Sequence, residues 1–169
     1  MSRDRQWRVE HSTPSLLGQT AVVTGATSGL GLQVALGLAR RGARLLLPVR
    51  NPARGQAALD RLRAQHPDAD VALIPMDLAS LTSIQSGADE VARLTGRLDI
   101  LVNNAGIMAP VHRLETQDGF EVQFGVNHLA HFALTAHLRP LLEATPHGGP
   151  VVSAARPAAP KHPLHFVDL

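Results

Sequence analysis

The sequence predicts an α/β fold, in which a parallel β-sheet is covered by helices. Short apolar runs of strand length alternate with longer segments of helical periodicity, and this alternation is typical of βαβ units with right-handed crossovers. The first apolar run leads directly into a glycine-rich turn and a helix. The composition agrees, because 44% of the 169 residues are hydrophobic and 18% are charged, which is ordinary for a globular protein. We expect one domain over residues 18–169, preceded by a polar, irregular arm over residues 1–17.

Strands are predicted where apolar residues form short runs. These runs cover residues 21–24, 43–49, 71–75 and 98–103, and a fifth begins at 151–152. The fourth run is continuously apolar, as a strand covered on both faces should be.

Helices are predicted between these strands from their end signals and their periodicity. The first covers about residues 30–41 and ends at Gly42, since glycine favours helix C-termini. Asn51-Pro52 starts the second as N-cap and first helical residue. Ser80 is the N-cap of the third, whose apolar positions share one face: Leu81, Ile84, Ala88, Val91 and Leu94. A long fourth helix is predicted over residues 117–143.

The glycine-rich turn after the first strand is the clearest binding motif. Gly25, Gly29 and Gly31 permit a tight turn, a close approach of backbone to phosphate, and close packing of helix on strand. The helix that begins at about Leu30 presents unpaired N–H groups and a partial positive charge to an anion, and Ser28 adds a hydroxyl donor. The spacing is G-x-x-x-G-x-G, so a plain glycine turn is the alternative. Its place in a βαβ unit favours a dinucleotide site.

Composition and charge argue against several other classes of protein. The formal net charge is only +2, with no concentrated basic patch, which argues against nucleic-acid binding. No stretch approaches the ~20 apolar residues of a membrane span, and the N-terminus lacks the apolar run of a signal peptide. The absence of cysteine excludes a disulfide framework and indicates a cytoplasmic protein. No acidic residue or cysteine completes a ligand set around His128, His131 and His137, so no metal site is expected.

Four further motifs follow the glycine turn. They are Asp77-Leu78 after the third strand, Asn103-Asn104-Ala105-Gly106 ending the fourth, Phe-Gly-Val-Asn-His at residues 124–128, and Phe-Val-Asp-Leu at residues 166–169. With these motifs the chain, from residue 18 onward, resembles the short-chain dehydrogenase/reductase family, and within it the retinol-dehydrogenase-like members. The resemblance implies a Rossmann-type doubly wound parallel sheet, here truncated after about five strands.

The resemblance also assigns roles in cofactor binding. It implies that Asp77 and Leu78 hold the adenine ring of the cofactor, and that Asn104, Ala105 and Gly106 line the ribose. Simpler roles stay open for the polar residues among them. Asp77 could favour the dipole of the following helix, and asparagine at a strand end could be a turn former.

Two other asparagines are implied to act differently. Asn103 ties neighbouring strands together in the family. Asn127 kinks the long helix and holds a water in the proton relay, which makes it the candidate catalytic residue. Asparagine is a poor helix former and costs stability within a helix, although a purely structural role for Asn127 stays open.

The end of the second strand predicts the cofactor. NAD-dependent proteins usually carry Asp or Glu there to accept from the ribose 2′-OH, whereas an arginine meets the 2′-phosphate of NADP. This chain reads Val49-Arg50-Asn51, with no carboxylate nearby. A charge-assisted phosphate contact by Arg50, with Arg54 as a second candidate cation, predicts that NADP(H) is preferred over NAD(H). An exposed loop arginine is the alternative.

The sequence departs from the family in its catalytic residues. Members use a Ser after the fifth strand and a Tyr-x-x-x-Lys, whose tyrosine exchanges a proton with the substrate oxygen. The 169 residues contain no tyrosine. Counting back from residues 166–169 places Ala155 and Arg156 at the serine positions, and Ser153 could replace the serine only in a shifted register. Lys161 lies in a proline-rich segment.

Two functions remain open. The chain is either a portion of an oxidoreductase that transfers hydride between NADP(H) and a small carbonyl or alcohol substrate, or a catalytically silent NADP(H)-binding domain such as a sensor. A Tyr-x-x-x-Lys further along the reading frame would favour the first. We also expect self-association, because the strand at 151–152 would be an unpaired edge beside uncovered apolar residues around Phe132 and Leu138.

Overall fold

Five parallel strands form one sheet in the computed structural model, which describes residues 14–108 and 110–155. The strands are Thr20–Val23 (β1), Arg44–Val49 (β2), Val71–Pro75 (β3), Ile100–Asn103 (β4) and Val151–Ser153 (β5). Their spatial order is β3-β2-β1-β4-β5, and every pairing is parallel. The order reverses between β1 and β4, which is the point at which doubly wound sheets bind ligands. The predicted Rossmann-type sheet is confirmed.

Helices cover both faces of this sheet. They are Gly29–Arg40 (α1), Pro52–Gln65 (α2), Leu81–Leu94 (α3), Val122–Phe124 (α4) and Ala130–Glu143 (α5), with a π-helical segment, Gly125–Leu129, joining the last two. One hydrophobic cluster lies between the sheet and the pair α1 and α2, and a second lies beneath α3 and α5. The sheet is thus buried on both sides, which explains the continuously apolar sequence of its central strands.

Two predicted helix starts are confirmed by their capping contacts. The Asn51 side chain accepts a hydrogen bond from the backbone N–H of Arg54 at 3.0 Å, with Pro52 as the first residue of α2. Ser80 Oγ accepts from the backbone N–H of Ser83 at 3.3 Å at the start of α3. These short-range signals set the direction in which both helices leave the sheet edge.

The predicted start of the long helix is wrong. The helix begins at Val122 instead of residue 117, because the intervening residues form a turn in which Gly119 has a φ of 82°. Glu121 then caps the helix, since its carboxylate accepts from two backbone N–H groups, two and three residues further on, at 2.9 and 2.8 Å. The same two N–H groups hold the pKa of Glu121 below its ordinary value.

The far side of the sheet leaves apolar residues in contact with solvent. β5 is the outermost strand of the described sheet, and Val151 and Val152 are 43% and 52% exposed. Phe132 is 71% exposed, but the expectation for Leu138 is wrong, because this side chain is fully buried against the sheet. Self-association through this edge stays a prediction.

Several sequence-based expectations fall outside the described residues. These are the arm up to residue 13, the motif at residues 166–169, Arg156 and Lys161. Within residues 14–108 and 110–155, no helix combines the length and apolar character required to span a membrane.

Candidate functional site

A cleft of about 630 Å³ opens at the carboxyl ends of the parallel strands. It lies where the strand order reverses between β1 and β4. The segments that follow these two strands lead away from each other and leave a crevice between them. The residues that the sequence assigns to cofactor binding all line this cleft: Gly25, Ser28, Gly29, Leu30, Gly31, Arg50, Asp77, Leu78, Asn104, Ala105 and Gly106. The fold therefore brings together residues that are up to 81 positions apart in sequence.

The glycine-rich turn lies directly against the loop that follows β4. A Cβ on Gly25 would lie 2.8 Å from the Ala105 Cα, and the backbone of Gly25 has a φ of 68°. A Cβ on Gly31 would collide with the Asn104 side chain amide and with the Gly25 carbonyl oxygen. Gly29 differs, because its φ is 55° but open space surrounds the position of a Cβ. Two glycines therefore allow the close approach of the two loops, and the third allows the turn itself.

The N-terminus of α1 faces this cleft with unused donors. Ser28 is the N-cap residue, but its side chain makes no capping hydrogen bond and is exposed. The first turn of this twelve-residue helix contains no acidic residue. Its N–H groups and the Ser28 hydroxyl can therefore serve an anionic ligand, and the 66% exposed side chain of Leu30 forms an apolar rim beside them.

The end of β2 supplies positive charge to the other end of the cleft. Arg50 and Arg54 both line the cleft and are exposed. Within the described part of the chain, neither guanidinium forms an ion pair. A phosphate bound there could therefore pair with these guanidinium groups without breaking an ion pair to a carboxylate of the protein.

Asp77 shapes the turn between β3 and α3. Its Oδ1 accepts from the backbone N–H of Ala79 at 2.9 Å, and its own N–H donates to Ser83 Oγ at 2.9 Å. One carboxylate oxygen is therefore committed to the turn, while the residue and the neighbouring Leu78 line the cleft. This geometry gives Asp77 a structural contact beside its predicted role in binding the adenine ring.

The two adjacent asparagines at the end of β4 hold different elements. Asn103 was expected to tie neighbouring strands, but its Nδ2 donates to Thr135 Oγ1 on α5 at 3.1 Å. The link between strands is made by Asn104 instead, because its Nδ2 donates to the carbonyl oxygen of Thr24, the residue after β1, at 3.0 Å. Side chains of successive residues leave a strand on opposite faces, which is why Asn103 meets the helix.

Thr24 is a site residue that the sequence reasoning missed. It is fully buried, and its Oγ1 accepts hydrogen bonds from the backbone N–H groups of Asn104 and Ala105, at 2.9 and 3.0 Å. A threonine at the end of a strand is common, so its type alone is a weak signal. Its place immediately before Gly25 is the one feature that could have pointed to it.

Asn127 lies in the π-helical segment and holds the loop after β4. Its Oδ1 accepts from the backbone N–H of Ile107 at 2.8 Å, and its Nδ2 donates to the Ile107 carbonyl oxygen at 2.9 Å. The helix is widened here, since the N–H of Ala130 donates to the carbonyl oxygen of Gly125, five residues back. The predicted distortion at Asn127 is present, but its side chain amide serves the loop, so its catalytic role stays a prediction.

His131 connects this segment to Thr24. The ring is buried, with Nε2 3.0 Å from Thr24 Oγ1 and Nδ1 3.0 Å from the Asn127 carbonyl oxygen. Burial lowers the pKa of His131 from its ordinary value of 6.5; the contact with the Asn127 carbonyl opposes this shift, and the nearby His128 adds to it. The neutral ring is thus the form that the fold stabilises.

We expect acid to destabilise the protein through His131. Because the folded-state pKa is lowered, the unfolded chain binds more protons between that pKa and about 6.5, so the free energy of unfolding falls as the pH drops through this window. Denaturant unfolding at pH 7.5 and 5.5 measures the effect. The loss of stability at pH 5.5 should be smaller in His131→Gln and unchanged in His137→Gln, which removes an exposed imidazole of α5. An equal pH dependence in all three proteins would contradict this.

The remaining candidate residues are placed as follows. Ser153 pairs with Asn103 on the exposed edge strand, and Ala155 is exposed beyond it. His128 stacks on Phe124 with ring centroids 5.3 Å apart. Across the described ranges, no group of three or more histidine, cysteine, aspartate or glutamate side chains is placed to hold a metal ion.

Comparison with known proteins identifies relatives of this architecture. Residues 19–166 match the model of the short chain dehydrogenase family. Human retinol dehydrogenase 13 is 45% identical over 134 residues, which are 79% of this chain and 40% of that protein. Mouse retinol dehydrogenase 14 is 41% identical over 143 residues, which are 78% of this chain and 42% of that protein. The chain therefore spans about 40% of the length of these two relatives.

Two solved structures with NADP share the fold. One is the active-site complex of RhlG from Pseudomonas aeruginosa with NADP, which is 33% identical with a TM-score of 0.70, over 84% of this chain and 57% of that one. The other is a metagenomic short-chain oxidoreductase in complex with NADP, which is 30% identical with a TM-score of 0.73, over 88% of this chain and 66% of that one.

Proposed function

We propose, because this chain belongs to the short-chain dehydrogenase family, that it binds NADP(H) as the cofactor-binding portion of an oxidoreductase. The observation that carries the proposal is the close contact between the glycine-rich turn and the loop after β4, because both segments line the cleft and the contact tolerates no side chain at Gly25 or Gly31. When bound, the nicotinamide supplies a hydride to a carbonyl or accepts one from an alcohol. Relatives named as retinol dehydrogenases support this class of substrate.

The residues of the cleft fit such a dinucleotide. The N-terminus of α1 and the Ser28 hydroxyl suit the pyrophosphate, because both present donors toward negative charge. Asp77 and Leu78 line the cleft and are our candidates for contact with the adenine ring, and the loop from Asn104 is our candidate for contact with a ribose. Gly31 allows the glycine-rich turn and the loop from Asn104 to lie this close together.

We expect Arg50→Ala to remove the preference for NADPH. A charge-assisted hydrogen bond to the 2′-phosphate contributes about 1.5–3 kcal/mol, so the affinity for NADPH should fall by roughly ten- to a hundredfold. NADH lacks this phosphate, and its affinity should stay unchanged. Titration of both cofactors by fluorescence or calorimetry measures the difference. Arg61→Ala is the matched control, because Arg61 is an exposed arginine of α2 outside the cleft.

Equal affinity of the wild-type chain for NADPH and NADH would refute the role of Arg50 while leaving cofactor binding intact. The absence of a carboxylate in the sequence Val49-Arg50-Asn51, together with two NADP complexes among the relatives, supports the preference for NADP(H) over NAD(H).

The cytoplasmic localisation stays a prediction from the lack of cysteine.

A second candidate function is a catalytically silent NADP(H)-binding or sensor domain. The observation that favours it is the absence of tyrosine from all 169 residues. Both candidates require the same cleft, so cofactor binding alone does not separate them. Turnover separates them.

A further inference from the structure

A single imidazole bridges the two anchors of the loop after β4. One anchor is Thr24, whose Oγ1 accepts from the N–H groups of Asn104 and Ala105. The other is Asn127, whose side chain amide holds both backbone groups of Ile107. His131 lies between the anchors, with one ring nitrogen 3.0 Å from Thr24 Oγ1 and the other 3.0 Å from the Asn127 carbonyl oxygen. The loop from residue 104 to residue 107 lines the cleft, so the ring supports it from behind at both ends.

The hydrogen-bond capacities of these groups select one form of the ring. A carbonyl oxygen only accepts, so His131 Nδ1 must carry a proton toward Asn127. A hydroxyl oxygen has two lone pairs, and both of those on Thr24 Oγ1 are used by the N–H groups of Asn104 and Ala105. The Thr24 hydroxyl proton has two acceptors within reach, the Val102 carbonyl oxygen at 3.3 Å and His131 Nε2 at 3.0 Å, and the shorter contact forms only when Nε2 is unprotonated.

Protonation of His131 Nε2 is incompatible with this arrangement. It would place a third donor against Thr24 Oγ1, which has no lone pair left for it. The hydroxyl proton would turn to the Val102 carbonyl oxygen, 3.3 Å away, and one of the two loop N–H groups would lose its acceptor. The loss of an acceptor for a half-buried N–H is unfavourable, so the charged ring weakens the anchoring of the loop.

We propose that His131 is a positioning residue which, as the neutral Nδ1-protonated tautomer, holds the loop of residues 104–107 against the glycine-rich turn and so sets the affinity of the cleft for a nicotinamide cofactor. The proposal rests on the proposed function. It adds a residue that lines no part of the cleft itself, since the ring is buried behind it.

The groups that contact the His131 ring are uncharged, so its protonation does not depend on the titration of a hydrogen-bonded partner. The residue after β1, the uncharged Thr24, contacts one ring nitrogen, and the Asn127 carbonyl of the π-helical segment contacts the other. The backbone carbonyl of His131 accepts from Thr135 Oγ1 in the following turn of α5, which is also uncharged. The titratable neighbour is the exposed His128, whose positive charge would oppose protonation of His131.

The first test reads the tautomer without any cofactor. Two-bond ¹H–¹⁵N correlation of the imidazoles at pH 7.5 should show His131 neutral, with Nδ1 protonated and Nε2 bare. As the pH is lowered, the amide signals of Asn104, Ala105 and Ile107 should shift together with the His131 ring, and these shifts should be absent in His131→Gln. The proposal would be overturned by a charged His131 ring at pH 7.5, by an Nε2-protonated tautomer, or by loop amide signals that do not shift when the ring titrates.

The second test measures cofactor affinity by calorimetry with NAD⁺, which lacks the 2′-phosphate and therefore its titration near pH 6. The wild-type affinity should fall as the pH is lowered through the transition of the His131 ring that the first test records. His131→Gln retains an amide beside Thr24 that does not titrate, so its affinity should be independent of pH. His131→Phe removes both polar contacts, and its affinity should be about five- to tenfold lower at either pH. The control, His137→Gln, should reproduce the wild-type profile.

The outcomes separate this proposal from the proposed function. A wild-type chain that binds no nicotinamide cofactor would refute the proposed function, and the affinity part of the inference with it, whereas the tautomer and the coupled amide shifts would still be measured in the protein alone. A wild-type profile identical to that of His131→Gln would overturn the role of the ring even if binding is tight. A thermal melt checks that His131→Phe is folded before its affinity is measured. If it is not folded, the conclusion rests on His131→Gln alone.

Discussion

Replacement of Gly31 with alanine is expected to reduce the affinity for NADPH on the order of a hundredfold and to destabilise the fold by about 1–3 kcal/mol. The new methyl group would collide with the Asn104 side chain amide and with the Gly25 carbonyl oxygen. Asn104 cannot move aside cheaply, because its Nδ2 donates to the Thr24 carbonyl oxygen and its backbone is held by Thr24 Oγ1. The two loops must therefore separate, and the backbone surface offered to a pyrophosphate is lost.

Gly37→Ala provides the matched control for this change. Gly37 lies in the same helix, two turns further on, and a Cβ there would meet no atom within 4 Å. Alanine in a helix is favoured over glycine by about 0.5–1 kcal/mol, so this variant should be slightly more stable and bind NADPH as the wild type does. Calorimetric titration and denaturant unfolding of the two variants test the argument. Unchanged NADPH binding by Gly31→Ala would show that the cleft is not the cofactor site.

The parts of the fold that sequence alone predicts are those whose causes are local. Asn51 and Ser80 cap helices through contacts three residues away, and asparagine and serine are strongly preferred at the position before a helix. The glycine-rich turn is equally local, since the absence of side chains is visible in the sequence. The parallel sheet followed from the alternation of apolar runs with helical segments, which is a pattern of the whole chain.

The start of the long helix differs, because a local signal argues against the predicted start. Residues 117–121 include Asp118-Gly119, a dipeptide typical of turns, and glycine is a poor helix former. The turn forms because Gly119 adopts a left-handed conformation and Glu121 provides a better cap. The predicted start is wrong because it extends the helix through this turn signal, not because of a contact distant in sequence.

The support of the candidate site depends on contacts that are distant in sequence. Thr24 and Asn104 are separated by 80 positions, and Thr24 and His131 by 107. The roles of Asn103 and Asn104 depended on which face of β4 meets α5, and this became visible only in the structure. The residues that line the cleft could thus be predicted from motifs, whereas the residues that hold them in place could not.

The 169-residue chain is expected to bind NADPH without consuming it. Reduction of a carbonyl requires a proton donor at the substrate oxygen, and general acid help of this kind contributes about 10²–10⁴-fold to the rate. The chain contains no tyrosine, and the residues that line the cleft include one carboxylate, Asp77, at the end of β3. His131 is committed to Thr24 and Asn127 behind the loop, so it has no access to a substrate.

NADPH absorbance during incubation with a panel of aldehydes and ketones measures this prediction. The decay should equal that of buffer, while the same preparation binds NADPH in a parallel titration. Binding without turnover would be consistent with both the cofactor-binding portion of an oxidoreductase and a silent domain. Fusing the chain to a family segment that carries Tyr-x-x-x-Lys distinguishes the two. Only a chain with an intact hydride-transfer geometry can gain activity from the added acid. Consumption of NADPH faster than in buffer, lost in Gly31→Ala, would mean that the chain contains a proton donor other than tyrosine.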